Sequence, residues 1–435
     1  MKNDYDGDFE SLLSELGELD EDEFEDMLDQ ISGDFMISAL SRMEEINNRC
    51  QKIPSPPKKN KKESKVFQNL HELNRFYEQN PDKELTIRQG KKTIAEIMKG
   101  LGSLDLYNFC KYSGHKEALS YPMQEKRDLL LKEWFDVPEN LMFSFKEEDL
   151  DLFFDLPELA AREATCSPGP FLGLVGQCCM TYSAKDGVLE IAADLPDLIR
   201  RISKRTRKKT EDFFATYTMP LIALISYYGY VEIDELPKLL LENYRLSVSN
   251  EQCFRFVYWN FSYDRTFITF SSPENGRSFV IEPGIDAEET YKKLILTEFM
   301  IPYFKIDTDD LYRLEEDFDY MDAFPDWGYL YGFLALMTAI SPEEARQFCD
   351  DIYLDVRNGT GLQDCMSQLA DTPRNQMLVH RILIWETCMH FLLTTPLPSL
   401  KGAARIYAFR NPHYSILPDT CFVQDPVKAE DIGKD

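Results

Sequence analysis

A mainly α fold carrying two small β-hairpins is the class this sequence predicts, and three observations lead to it. Apolar residues recur at three- and four-residue spacing over most of residues 66–415. Two short stretches, near 171–192 and 267–281, alternate instead around the turn formers Lys185-Asp186-Gly187 and Asn275-Gly276. The 435 residues are 43% hydrophobic and 29% charged, which supplies packed cores and excludes wholesale disorder. At usual domain sizes that length makes about two to four domains.

Residues 1–50 read as an acidic arm, with sixteen Asp/Glu against Lys2, Arg42 and Arg49. Phe9, Leu12, Leu13 and Leu16 fall at helical spacing, as do Phe24, Met27, Leu28 and Ile31. Asp20 with Glu23 three residues on makes an N-terminal cap. Two short amphipathic helices follow from this, each needing a surface to lie on because helices this short are marginal alone. That surface is either the protein's own body or a protein partner. Residues 51–65, QKIPSPPKKNKKESK, hold three prolines and six lysines and read as a linker.

Residues 66–165 read as mostly helical. Ile94, Ile97, Met98 and Leu101 suggest a helix that stops at Gly100–Gly102. A further apolar run, Gly114, Pro122 and a helix with Leu129, Leu130 and Trp134 come next. This order, with Leu104, Tyr107, Gly114, Lys126, Arg127, Leu129 and Leu130 at the matching positions, resembles the SAP and Rho N-terminal-like helix–extension–helix modules. The resemblance spans about 35 residues, and it implies a small helical module of a class that includes nucleic-acid binders.

Residues 166–209 read as a hairpin followed by a basic helix. Phe171–Tyr182 and Val188–Ala192 are the apolar strands and Pro196 opens the helix. Residues 210–285 read as three helices capped by Thr210, Asp234 and Ser249, then strands Phe267–Phe270 and Ser278–Ile281. That order resembles a winged-helix fold, and the first hairpin resembles its wing. ISYYGYVEIDELPKLLLENY also resembles a segment of uncharacterised Firmicutes proteins that carry Rho-like and winged-helix modules, which implies a bacterial source. Residues 286–415 return to helix: Ile295–Phe299, Asp309–Tyr320, Tyr329–Ile340, Pro342–Val356 and Pro373–Leu393. Residues 416–435 read as a polar tail.

Charge and composition narrow the function. A net charge of −28 opposes any protein that coats nucleic acid along its length. The longest apolar runs, Met219–Val231 and Tyr329–Ile340, fall short of the roughly 20 residues that span a bilayer, so no membrane partner is expected. Met1–Glu10 is acidic and lacks an apolar signal core, and the ten cysteines are scattered. A cytoplasmic chain with free thiols follows from those two features.

Catalytic and metal fingerprints fail one by one. Gly90-Lys91-Lys92-Thr93 has Leu85 where a phosphate loop needs its first glycine. His71-Glu72 has Arg75 where a zinc helix needs its second histidine. Asp4, Asp6 and Asp8 begin like a calcium loop, but Phe9 stands where the sharp turn needs glycine. No metal and no cofactor are therefore expected. One enzymatic pattern survives: Arg374 and His380 match the loose R-x(4–6)-H motif and resemble the HEPN-type ribonucleases. That resemblance implies an all-helical enzyme in which Arg and His stabilise and protonate a cleaved phosphodiester.

The sharpest remaining feature is Arg200, Arg201, Lys204, Arg205, Arg207, Lys208 and Lys209: seven cations in ten residues with no acid between them. Such a run is either a solvated helical face or an anion-binding patch, for nucleic acid or for the protein's own acidic arm. The third helix of the 210–285 stretch, Asn250–Asn260, is crowded with Phe254, Phe256, Tyr258 and Trp259 and offers Arg255 alone. That is the composition of a core or a protein interface rather than of a base-reading helix. The sequence therefore points to a non-enzymatic interaction or regulatory protein with a protein partner and a possible nucleic-acid contact. An HEPN-like nuclease using Arg374 and His380 is the alternative.

Overall fold

The first described helix shows how the sequence sets the local fold. In the computed structural model, which describes residues 64–261, 267–272, 277–297, 302–316, 325–337, 341–359, 391 and 395–404, α1 is Lys65–Gln79. Ser64 caps it by accepting from the Phe67 amide, and Val66, Leu70 and Leu73 make its buried stripe. The acidic arm, the linker to residue 63, Arg374, His380 and the tail lie outside the described residues.

Two small open sheets sit among the helices. The first has strand order β2-β1-β4-β3: β1 Leu85–Gln89, β2 Thr165–Cys166, β3 Met180–Ser183 and β4 Val188–Ile191. β3 and β4 form the expected antiparallel hairpin, with Gly187 at φ +63° in its turn. β4 also pairs in parallel with β1 some 100 residues earlier, Ile87 facing Leu189 and Arg88 bonding Glu190 at 2.9 Å. The second sheet, order β5-β7-β6, contains β5 Tyr230–Glu232, β6 Ile268–Ser271 and β7 Ser278–Ile281, all antiparallel.

The remaining elements are α2 Ile94–Met98, α3 Ser103–Tyr112, α4 Met123–Asp136, α5 Leu150–Ala161, α6 Leu172–Gly176, α7 Leu195–Arg201 and α8 Lys204–Tyr228, followed by α9 Leu236–Tyr244 and α10 Asn250–Phe256. The chain then continues through α11 Ala287–Thr297, α12 Thr308–Glu316, α13 Pro325–Met337 and α14 Pro342–Asn358. α10 runs on into a π-helical turn, Val257–Phe261. One contiguous apolar cluster extends from Val66 to Leu314 and takes in residues of α1 to α10, both sheets and α12. A smaller one under the second sheet joins Tyr230, Phe279, Ile281 and Tyr291. Among the described residues no helix is long and apolar enough to cross a membrane.

Two expectations are corrected. Phe171–Tyr182 is not one strand: Leu172–Gly176 is a helix and only Met180–Ser183 is extended. This run is buried on every side, so it has no period to read, and Gly173 lies so close to Ser144 that a Cβ there would sit 2.7 Å from the Ser144 Cβ. Residues 66–165 are mostly helical, with β1 inserted where Leu85 and Ile87 alternate inward. Thr210 does not cap α8, which begins six residues earlier under Ser203; Thr210 Oγ1 donates to the Thr206 carbonyl inside the helix. The basic run is therefore the end of α7, a break at Ile202-Ser203, and the first turns of α8.

Candidate functional site

α8 starts where an incoming helix ends, and this sets the geometry of the cations. Ser203 Oγ accepts from the Thr206 amide at 3.1 Å, and no acid occupies the first turn. The helix then sorts its charges by face. Arg207 donates to Glu211 at 2.7 Å, pairs with Asp151 on α5 and lays its guanidinium over the Phe154 ring. Lys208 reaches Asp212 at 3.1 Å, and Arg200 is held by Asp197 at 2.8 Å. These hydrogen bonds hold the Arg207 guanidinium, first through Glu211 and then Asp151, above its ordinary range, and Asp212 does the same for Lys208.

Arg201, Lys204, Arg205 and Lys209 are exposed and make no ion pair among the described residues. Arg205 and Lys209 stand one turn apart on the same stripe, where like charges repel by about 0.2–0.5 kcal/mol. The positive end of the α8 dipole adds to them. This corner keeps its charge against local electrostatics, and an anion would relieve it. The seven predicted residues are thus divided, three neutralised within the fold and four open.

α10, the third helix predicted in residues 210–285, cannot reach a groove as it stands. Cys253, Phe254, Phe256, Val257, Tyr258, Trp259, Asn260 and Phe261 are all buried. Tyr258 stacks on Tyr112 at 3.8 Å, and Trp259 meets Phe109 edge-on at 5.0 Å, both on α3. Arg255 donates to Glu133 at 2.6 Å and to the Ser113 carbonyl at 3.0 Å. Two basic residues of α4 are likewise used inside: Lys126 is buried with its ammonium over Tyr107, and Arg127 donates to the Leu101 carbonyl.

Two polar constellations have the residue types of catalysis. Lys111 Nζ lies 2.7 Å from Ser278 Oγ, which also bonds the Tyr112 hydroxyl, and burial pushes the Lys111 amine down to about 8. Each of the pair is only 3% exposed, so no acyl substrate reaches the hydroxyl without opening the core. His115 Nε2 lies 2.8 Å from Glu133, whose other oxygen takes Arg255 and Asn140. This network joins α4, the Gly114 turn and α10, and sequence reasoning missed it because its members are scattered over some 140 residues. Among the described residues no group of three His, Cys, Asp or Glu is placed to hold a metal, and the six described cysteines of the chain's ten are free thiols.

No protein-family model matches the chain, and no curated protein or solved structure matches it either.

Proposed function

We propose that the chain is a non-enzymatic, regulatory interaction protein that docks an acidic polypeptide segment on the corner formed by Arg201, Lys204, Arg205 and Lys209. The observation that carries this reading is the division of the basic run: its inner cations are satisfied by Asp151, Glu211 and Asp212, while the outer four have no ion-pair partner among the described residues. A short acidic peptide suits four charges on one corner better than a duplex, whose backbone would meet a molecule of net charge −28. The free thiols suit a cytoplasmic setting.

The resemblance to a winged helix is part of the same reading. α8, β5, α9, α10 and the β6–β7 pair follow that fold's order, and β7 lies between β5 and β6. On this view the reading helix has been turned inward onto a SAP-like helix pair, which leaves the module a structural and docking role. The test is fluorescence anisotropy with a labelled oligoglutamate peptide and, in parallel, a single-stranded oligonucleotide at about 50 mM salt. Arg201→Glu/Lys204→Glu/Arg205→Glu/Lys209→Glu should abolish peptide binding, and Arg200→Glu should leave it within about twofold. Unchanged peptide binding by the quadruple variant rejects the corner. Tighter binding of the oligonucleotide than of the peptide transfers the proposal to nucleic acid.

A further inference from the structure

A cleft of about 420 Å³ opens between α1, residues 144–149, residues 167–173 and the π turn that follows α10. Its walls come together because two glycines allow it. A Cβ on Gly173 would meet the Ser144 carbonyl at 2.8 Å, and one on Gly169 would meet the Tyr77 ring at 3.0 Å. The π turn contributes Asn260, whose amide nitrogen is pinned to the Phe145 carbonyl. A π turn spoils local helix hydrogen bonding, and such turns recur where a side chain must be placed for function.

Ser144 lines this cleft, is only 8% exposed, and its hydroxyl has no hydrogen-bond partner among the described residues. A buried hydroxyl without a partner is costly and needs its own explanation. The charge of the walls says what could supply the partner. Glu78, Glu148 and Asp149 stand against Lys146 alone, so the cleft repels anions and attracts cations. Asn74, Ser144 and Asn260 add neutral groups that bond hydroxyls.

We propose that this cleft binds a small amine-bearing polyol, of the amino-sugar class, with its ammonium toward Glu148 and Asp149 and its hydroxyls on Ser144 and Asn260. The volume lies within the usual range for small-molecule sites. Burial, then Glu148, raises the Asp149 carboxyl, so a bound cation should favour the ionised acid and affinity should rise with pH through that range.

The probes are glucosamine, glucose and inorganic phosphate, titrated into the full chain by calorimetry and ligand-observed NMR. Glucosamine should bind saturably and about tenfold more tightly than glucose, and phosphate should not bind. Glu148→Gln/Asp149→Asn should remove about tenfold of the glucosamine affinity, and Ser144→Ala about fivefold. Glu343→Gln, the loss of one charge at the exposed start of α14, should change nothing. Equal binding of glucose and glucosamine overturns the proposal, as do binding of phosphate and an equal loss in Glu343→Gln, which would mark general attraction to an acidic surface. Absence of saturation by glucosamine up to about 10 mM rejects the site outright.

Discussion

Arg357 and Glu282 show how single residues hold distant parts of this chain together. Arg357, on the last turn of α14, lies 2.9 Å from the Glu282 carboxylate and donates to the Ser226 and Tyr227 carbonyls at the end of α8. Both side chains are buried, and burial raises the Glu282 carboxyl to about 7. Gly229 has φ +67°, and a Cβ there would run into the Arg357 guanidinium. Removing one partner of such a pair leaves an uncompensated buried charge. Arg357→Ala is therefore expected to lose about 3–5 kcal/mol in urea denaturation, whereas Arg357→Met/Glu282→Gln should lose much less. Equal losses would mean that packing and not charge sets the cost. His115 makes a prediction of the opposite kind. Its hydrogen bond to Glu133, then that carboxylate's charge, raises it above the ordinary 6.5 against the effect of burial. The folded state then holds the proton more tightly than the unfolded chain. This stabilisation is complete below about 6.5 and is lost as pH rises through the raised folded value. Urea midpoints across that window should fall with pH, and His115→Gln should flatten the decline. A variant with the wild-type slope would remove His115 from the account.

Elements were legible in the sequence where a period met a cap. Ser249 caps α10 as read, and Ser341 with Glu344 forms a full capping box on α14 just before Pro342. The hairpin at 180–191 was legible from Asp186-Gly187. β1 and β5 were not, because their partner β4 lies about a hundred residues from β1 and their partner β7 about fifty from β5, and short strands carry little local signal. The basic run was legible as charge but not as geometry. Whether a cation is open or neutralised depends on Asp151 from α5, which no local pattern announces. The division has a thermodynamic signature. An acid in the first turn of α8 would favour the helix dipole and end the repulsion among Arg201, Arg205 and Lys209. Arg205→Glu is expected to raise stability by about 0.3–1 kcal/mol while weakening acidic-peptide binding. A destabilised Arg205→Glu would show that Arg205 serves the fold rather than a partner.

At the scale of the whole molecule the charge is unevenly placed. The chain carries −28, sixteen of its acids fall within residues 1–50, and the densest cationic run ends α7 and opens α8. Read as a flexible chain at about 5–6 Å × √n, the fifteen-residue linker has a root-mean-square reach near 20 Å. The arm would then be tethered near the body at up to roughly millimolar effective concentration. Individual surface pairs contribute only about 0–1 kcal/mol, so several would have to act together and the contact would weaken with salt. An external acidic ligand must compete with that tethered one. Deleting residues 1–50 removes none of the described core residues, the first of which is Val66. The deleted protein should therefore bind oligoglutamate, or a single-stranded nucleic acid, more tightly than the full chain at about 50 mM salt. The gain should shrink as salt rises and vanish when Arg201, Lys204, Arg205 and Lys209 are reversed. Equal binding by the two forms at low salt would separate the arm from the corner and leave the arm's apolar stripes, Phe9 to Leu16 and Phe24 to Ile31, as determinants for a different partner.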